Sequence, residues 1–70
     1  MEIQPRALMK LVQISRITDI EQLRLPPSNH LEALSGSLKG CWSIRVDMQW
    51  RVVFRWESGN ARDVRILDYH

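Results

Sequence analysis

Cys41-Trp42-Ser43-Ile44-Arg45-Val46-Asp47-Met48-Gln49-Trp50-Arg51-Val52-Val53-Phe54-Arg55-Trp56 is the stretch on which the fold turns. Side chains of an extended chain point alternately to two faces. Trp42, Ile44 and Val46 therefore share one face, with Cys41, Ser43 and Arg45 on the other. After Asp47-Met48-Gln49, the residues Trp50, Val52, Phe54 and Trp56 alternate in the same way with Arg51, Val53 and Arg55. Two alternating runs about a polar turn predict a β-hairpin whose apolar stripes face one core. Glu57-Ser58-Gly59-Asn60 predicts a second turn. A last strand follows, with Val64, Ile66 and Arg62 set against Asp63, Arg65 and Leu67, running to Asp68-Tyr69-His70.

Upstream of the hairpin the period is helical. Pro5 suits a first turn, and Leu8, Leu11, Val12 and Ser15 recur at i, i+3, i+4 and i+7, flanked by Ala7 and Ile14, which predicts a helix over residues 4–15. Thr18-Asp19-Ile20-Glu21 has capping-box spacing and predicts a second, short helix that Pro26-Pro27 ends. Residues 29–34 read as a short strand closed by Ser35-Gly36-Ser37. Helices followed by an antiparallel meander give an α+β fold, helices on one sheet face, in a single domain over residues 1–70.

Composition narrows the class. Apolar residues at 44% and charged residues at 26% of a 70-residue chain are globular values, not those of a disordered tail. A chain this short buries only about 60% of its unfolded surface, so its stability is expected to be small. No apolar run approaches the about 18 residues a membrane span needs, and Met1-Glu2-Ile3-Gln4-Pro5 lacks the features of a signal peptide, so the expected location is cytoplasmic, away from membranes. Cys41 is the only cysteine. It excludes an internal disulfide and a thiolate metal cluster, and reads as a small buried side chain.

The net charge of +2 is unevenly placed. Arg6, Lys10, Arg16 and Arg24 are balanced by Glu2, Asp19, Glu21 and Glu32, whereas Lys39, Arg45, Arg51, Arg55, Arg62 and Arg65 outnumber Asp47, Glu57, Asp63 and Asp68. Arginine offers a planar fork suited to phosphate. By strand parity Arg51 and Arg55 share the face opposite the apolar stripe, and Arg45 joins them from the neighbouring strand. Like charges set side by side cost folding energy, so this face reads as a nucleic-acid surface; the alternative is a solvated sheet face with Asp63 as counter-ion.

Leu31-Glu32-Ala33-Leu34-Ser35-Gly36-Ser37-Leu38-Lys39-Gly40-Cys41-Trp42-Ser43-Ile44-Arg45-Val46, then Gln49-Trp50-Arg51-Val52-Val53-Phe54 and the terminal Asp68-Tyr69-His70, resemble the HigB-like branch of the RelE toxin superfamily. Ile3-Gln4, Arg6-Ala7-Leu8, Lys10-Leu11 and Leu23-Arg24-Leu25-Pro26-Pro27 extend the resemblance over almost the whole chain. It implies a microbial-RNase-like scaffold that cleaves mRNA on the ribosome, inhibits translation, needs no cofactor or metal, and is held in check by a helix-turn-helix antitoxin (HigA-like).

RNA cleavage by its own 2′-hydroxyl needs a base, a cation for the phosphorane charge and an acid for the departing oxygen. The resemblance implies Arg51 for the charge, Tyr69 for packing on a base or supporting proton transfer, and His70 as acid or base. Taken alone, Arg51 is a solvated strand arginine and Tyr69-His70 a frayed end; in an active chain Arg51→Ala is expected to abolish cleavage with little loss of fold, so that Arg51 is dispensable to the fold. The family's His-x-x-Lys element falls here at Glu32 and Ser35. Glutamate at that place occurs in one subgroup, which implies Glu32 as base; its bland alternative is a surface carboxylate. Lys39, with Arg45 and Arg55, is a candidate RNA contact, or else a solvated loop lysine. His30 reads as structural or solvent-facing.

Family members also carry a first strand ahead of the position of Met1, so the chain is expected to be cut short, with an open sheet edge that a second copy or the antitoxin fills. The functional expectation is a ribosome-dependent endoribonuclease. The alternatives are an inactive remnant that binds antitoxin, and a noncatalytic RNA-binding module, against which stands the lack of an exposed aromatic platform beyond Tyr69.

Overall fold

Pro5 has no N–H to lose in the first turn of a helix, and helix α1 spans Pro5–Arg16. The computed structural model describes residues 4–68. Ala7 and Ile14 are the buried residues of α1, with Leu11 and Ile17 partly buried beside them, while Leu8, Met9 and Val12 are exposed. The buried face of α1 is thus centred one position away from the Leu8–Val12 stripe read from the sequence. Ala7, the smallest side chain available, lets the helix approach the sheet.

The second helix is a short 3-10 segment, Ile20–Arg24, and its cap is one residue later than the sequence suggested. Asp19 Oδ1 accepts the N–H of Glu21 at 2.9 Å, and Gln22 Oε1 accepts those of Asp19 and Thr18 at 3.1 and 2.8 Å. Glu21 takes an ion pair with Arg24 instead. A further 3-10 turn, Pro27–Asn29, occupies the start of the expected strand over residues 29–34, leaving β1 as Glu32–Ala33. Asn29 explains this. Fully buried, it donates through Nδ2 to the carbonyls of Leu23 and Leu25 and to Gln13, and accepts from Lys10 Nζ. A side chain with four partners fixes the local backbone as a turn rather than a strand.

Strands β2, Cys41–Arg45, β3, Trp50–Glu57, and β4, Asn60–Asp68, complete an antiparallel sheet of order β1-β2-β3-β4. One helix packed on a four-stranded antiparallel sheet is the α+β arrangement expected. Asp47 holds the β2–β3 loop, its Oδ1 accepting the N–H groups of Gln49 and Trp50 at 2.8 and 2.9 Å. Those two bonds, Trp50 first, keep its carboxyl below the usual carboxylate range. Ser58 and Gly59 both have positive φ, 51° and 77°, which is the two-residue turn that matches strand twist. Ile44, Val46, Val52 and Phe54 form the core with Ala7, Ile14 and Leu23, and Trp42, Trp50 and Trp56 pack around it.

β4 departs from simple alternation. Val53 lies opposite Arg65 but Arg55 opposite Arg62, so one extra residue of β4 bulges out at Asp63, whose φ is 52°. The bulge reverses parity within the strand. Arg62, grouped with Val64 and Ile66 by the sequence pattern, comes to lie beside Arg55, on the face of Arg65. Among the described residues no strand lies outside β4, where Val64, Ile66 and Leu67 are exposed.

Candidate active site on the outer face of the sheet

Strand register decides which side chains meet. Arg45 is opposite Arg51, Ser43 opposite Val53, Cys41 opposite Arg55, and Glu32 opposite Ser43. Directly opposed residues point to the same side of a sheet. Glu32, Ser43, Arg45, Arg51 and Arg55 therefore stand on the face away from α1, with Arg62 and Arg65 from β4.

Arg51 is the centre of this group and is not a solvated strand arginine: only 6% of it is exposed. Its Nε donates to Ser43 Oγ at 3.0 Å, and its Nη2 to the carbonyl of His30 at 2.6 Å and to that of Ser43 at 3.5 Å. Nη1 lies 4.0 Å from Glu32 Oε1. The expectation that Arg51 is dispensable to the fold is overturned, because these bonds serve the fold as well as any site.

The other candidates are arranged around it. Arg45 Nε donates to the carbonyl of Asp47 at 3.0 Å, and a hollow of about 170 Å³ between them is lined by His30, Arg45, Asp47, Met48 and Arg51. Arg55 Nε lies 3.8 Å from Glu57 Oε1 and 3.7 Å from Asp63 Oδ2, while Arg62 Nε lies 3.7 Å from Glu57 Oε2. Acids are thus interleaved among the arginines, Asp63 included, which lowers the cost of placing them together. Lys39 is exposed in the turn before β2, and the Arg55 guanidinium reaches over the adjacent Gly40. The backbone of His30 is left-handed, φ 46°, and its side chain is exposed. Tyr69 and His70 fall outside the described residues. In the described part of β4, Leu67 lies opposite Arg51 and Asp68 opposite Trp50.

Chemically, the arrangement offers a buried guanidinium beside a carboxylate, within reach of two or three further arginines. Such a set can hold an anionic phosphorus centre and accept a proton next to it. Among the described residues no group of three or more His, Cys, Asp or Glu side chains could hold a metal ion. Cys41 is buried with its thiol free. Two participants escaped the sequence reading: Ser43, whose signal was a small hydroxyl side chain on an otherwise basic strand face, and the carbonyl of His30, which had none.

Residues 2–70 match the model of the HigB-like toxins, described as the RelE-like toxin of the type II toxin-antitoxin system HigB. The chain belongs to the HigB-like toxin family. Toxin HigB-1 of Vibrio cholerae is 43% identical to this HigB-like chain over 65 residues, which are 91% of the chain and 67% of that protein. A protein of Haemophilus influenzae of unassigned role is 39% identical over 61 residues, 87% of the chain and 59% of its own length. Endoribonuclease HigB of Proteus vulgaris is 40% identical over 40 residues, 57% of the chain and 44% of that protein. The HigB-like chain thus spans about two thirds or less of the relatives it matches. Membership of a toxin-antitoxin family implies an antitoxin partner. Among the described residues no helix is long and apolar enough to cross a membrane.

Proposed function

We propose that this chain is an endoribonuclease toxin that cleaves mRNA on the ribosome and so inhibits translation, without a metal ion. The observation that carries the reading is Glu32 Oε1 at 4.0 Å from Arg51 Nη1, on a sheet face that also holds Arg45 and Arg55. Glu32 takes the proton of the attacking 2′-hydroxyl as its oxygen bonds to the adjacent phosphorus. Arg51 stabilises the charge that gathers on the phosphorane. The 5′-oxygen leaves with a proton from His70, giving a 2′,3′-cyclic phosphate, while Tyr69 packs on a base or supports the proton transfers. Lys39, Arg45 and Arg55 hold neighbouring phosphates. The name of the Proteus vulgaris relative, an endoribonuclease, supports the reaction class.

Glu32→Gln keeps the shape of the side chain and removes the base. It is expected to slow cleavage of a ribosome-bound message by about 100-fold, the lower end of what a positioned base contributes. An unchanged rate would make Glu32 a counter-ion of Arg51 and no more. Cleavage is also expected to survive chelation once magnesium is returned for the ribosomes; a strict need for zinc or manganese would overturn the metal-free route.

The partner in this reading is a helix-turn-helix antitoxin. The long outer edge of β4, with Val64, Ile66 and Leu67 exposed, is the place for an added strand, from the antitoxin or from a second copy. Sedimentation of the purified chain is expected to show concentration-dependent self-association; a monomer at every concentration, unfolding cooperatively, would remove that part.

A second reading, an inactive chain that only binds antitoxin, is favoured by Glu32 and Ser35 standing where the family's His-x-x-Lys element falls. Induction in cells without antitoxin separates the two. Growth arrest with cleaved messages is expected, and unimpaired growth by a chain that still captures its antitoxin would leave the second reading.

A further inference from the structure

We propose that Ser43, together with the main-chain carbonyl of His30, positions Arg51, fixing the plane of its guanidinium before substrate arrives. This rests on the reading of Arg51 as the group that meets the phosphorane charge.

An arginine on an open strand face samples many rotamers and must lose that freedom when it meets a phosphate. Here the loss occurs on folding. Nε bonds to Ser43 Oγ at 3.0 Å and Nη2 to His30 O at 2.6 Å, so one long edge of the guanidinium is tied to the protein at both ends. The tied edge sets the direction of the remaining amino group, Nη1, which faces Glu32 at 4.0 Å.

Both holders are unusual choices unless they serve this end. Ser43 is completely buried in the middle of β2, where a branched apolar residue is the ordinary occupant and would fill the space better. A buried hydroxyl costs free energy unless a partner satisfies it, and Arg51 Nε is that partner. His30 is a non-glycine residue in the left-handed region, φ 46°, a conformation that side chains with a β-carbon seldom adopt. It caps the Pro27–Asn29 turn, which the buried Asn29 amide holds against α1, and this geometry presents its carbonyl to Arg51.

The test is steady-state cleavage of a ribosome-bound message by the full chain, combined with thermal unfolding and the ¹⁵N resonance of Arg51 Nε. Ser43→Ala is expected to lower kcat by about tenfold with KM little changed, a typical share for one hydrogen bond to a charged group. Ser43→Thr, which keeps the hydroxyl, is expected to recover most of that loss. In an Arg51→Lys background, where no Nε–H exists, Ser43→Ala is expected to cost less than about twofold, because a residue acting through another loses its effect when that other is replaced. A purely structural serine would instead cost the same factor in both backgrounds, which overturns the proposal; the unfolding midpoint checks that each variant is folded under the assay. The Nε–H signal is expected to exchange slowly in the parent and rapidly in Ser43→Ala; an unchanged signal with an unchanged kcat also overturns it. If Arg51→Lys alone keeps the full rate, the role given to Arg51 fails and the proposal falls with it, an outcome distinct from loss at Arg51 without loss at Ser43.

Discussion

Arg51→Ala is expected to reduce mRNA cleavage by about 100-fold or more and to weaken the fold at the same time. The first effect follows from removing a donor aimed at charge that develops in the transition state. The second follows from burial: with the guanidinium gone, Ser43 Oγ and the His30 carbonyl lose their partner inside the protein, at a cost of about 1–3 kcal/mol for a stranded polar group. Cleavage in a translating extract has therefore to be read beside an unfolding curve. Arg51→Lys separates the two effects. It keeps a charge and most of the volume but has no planar fork, so it should retain more stability than alanine while still losing most of the rate. Equal cleavage by Arg51→Ala and parent would remove Arg51 from the site.

Phe54→Ala should remove most of the chain's stability and leave it at the edge of unfolding at room temperature. Phe54 is fully buried in β3, opposite Trp42 of β2, in the cluster that includes Ile14, Leu23, Ile44 and Val52. Truncating a buried phenylalanine costs about 3–5 kcal/mol, through lost burial and the cavity left behind. A small domain has about 5 kcal/mol of stability, or a little more. The two figures are of one size, and that decides the outcome. Urea unfolding followed by tryptophan fluorescence would measure it. Phe54→Leu, which keeps most of the volume, should stay folded with a lowered midpoint, and an alanine variant with the midpoint of the parent would show that the core closes without this ring.

What the sequence made legible was what depends on period. The alternation from Cys41 to Trp56 placed the hairpin, its apolar face and the shared face of Arg45, Arg51 and Arg55, because parity along a strand is a local property. The spacing of Leu8, Leu11, Val12 and Ser15 placed a helix but not the face it buries, which the sheet beneath it decides. Contacts between distant residues were hidden. Nothing in the neighbourhood of Ser43 or His30 shows that both will meet Arg51, and nothing near Thr18 shows that Asp19 and Gln22, rather than Thr18 and Glu21, will close the cap. The arginine was recognised, but its burial was not, since burial comes from the turn at Pro27–Asn29 folding back on β2. The family resemblance supplied the roles of Tyr69 and His70, which no period could have supplied.

The bulge at Asp63 makes β4 one residue longer than straight pairing needs. That surplus works as slack in the chain. Shortening the strand by the bulged residue would let Val64 pair with Phe54 directly, while Arg62 stays beside Arg55 and Glu57 beside Asn60. A one-residue change of length, which in most strands turns every later side chain inside out, can here be absorbed at one point. Length variation in such a lineage therefore has a preferred address, between the Ser58-Gly59 turn and Arg65. The register of the arginine face and of the turn is insulated from it, and what the face gives up is Asp63 as a counter-ion of Arg55.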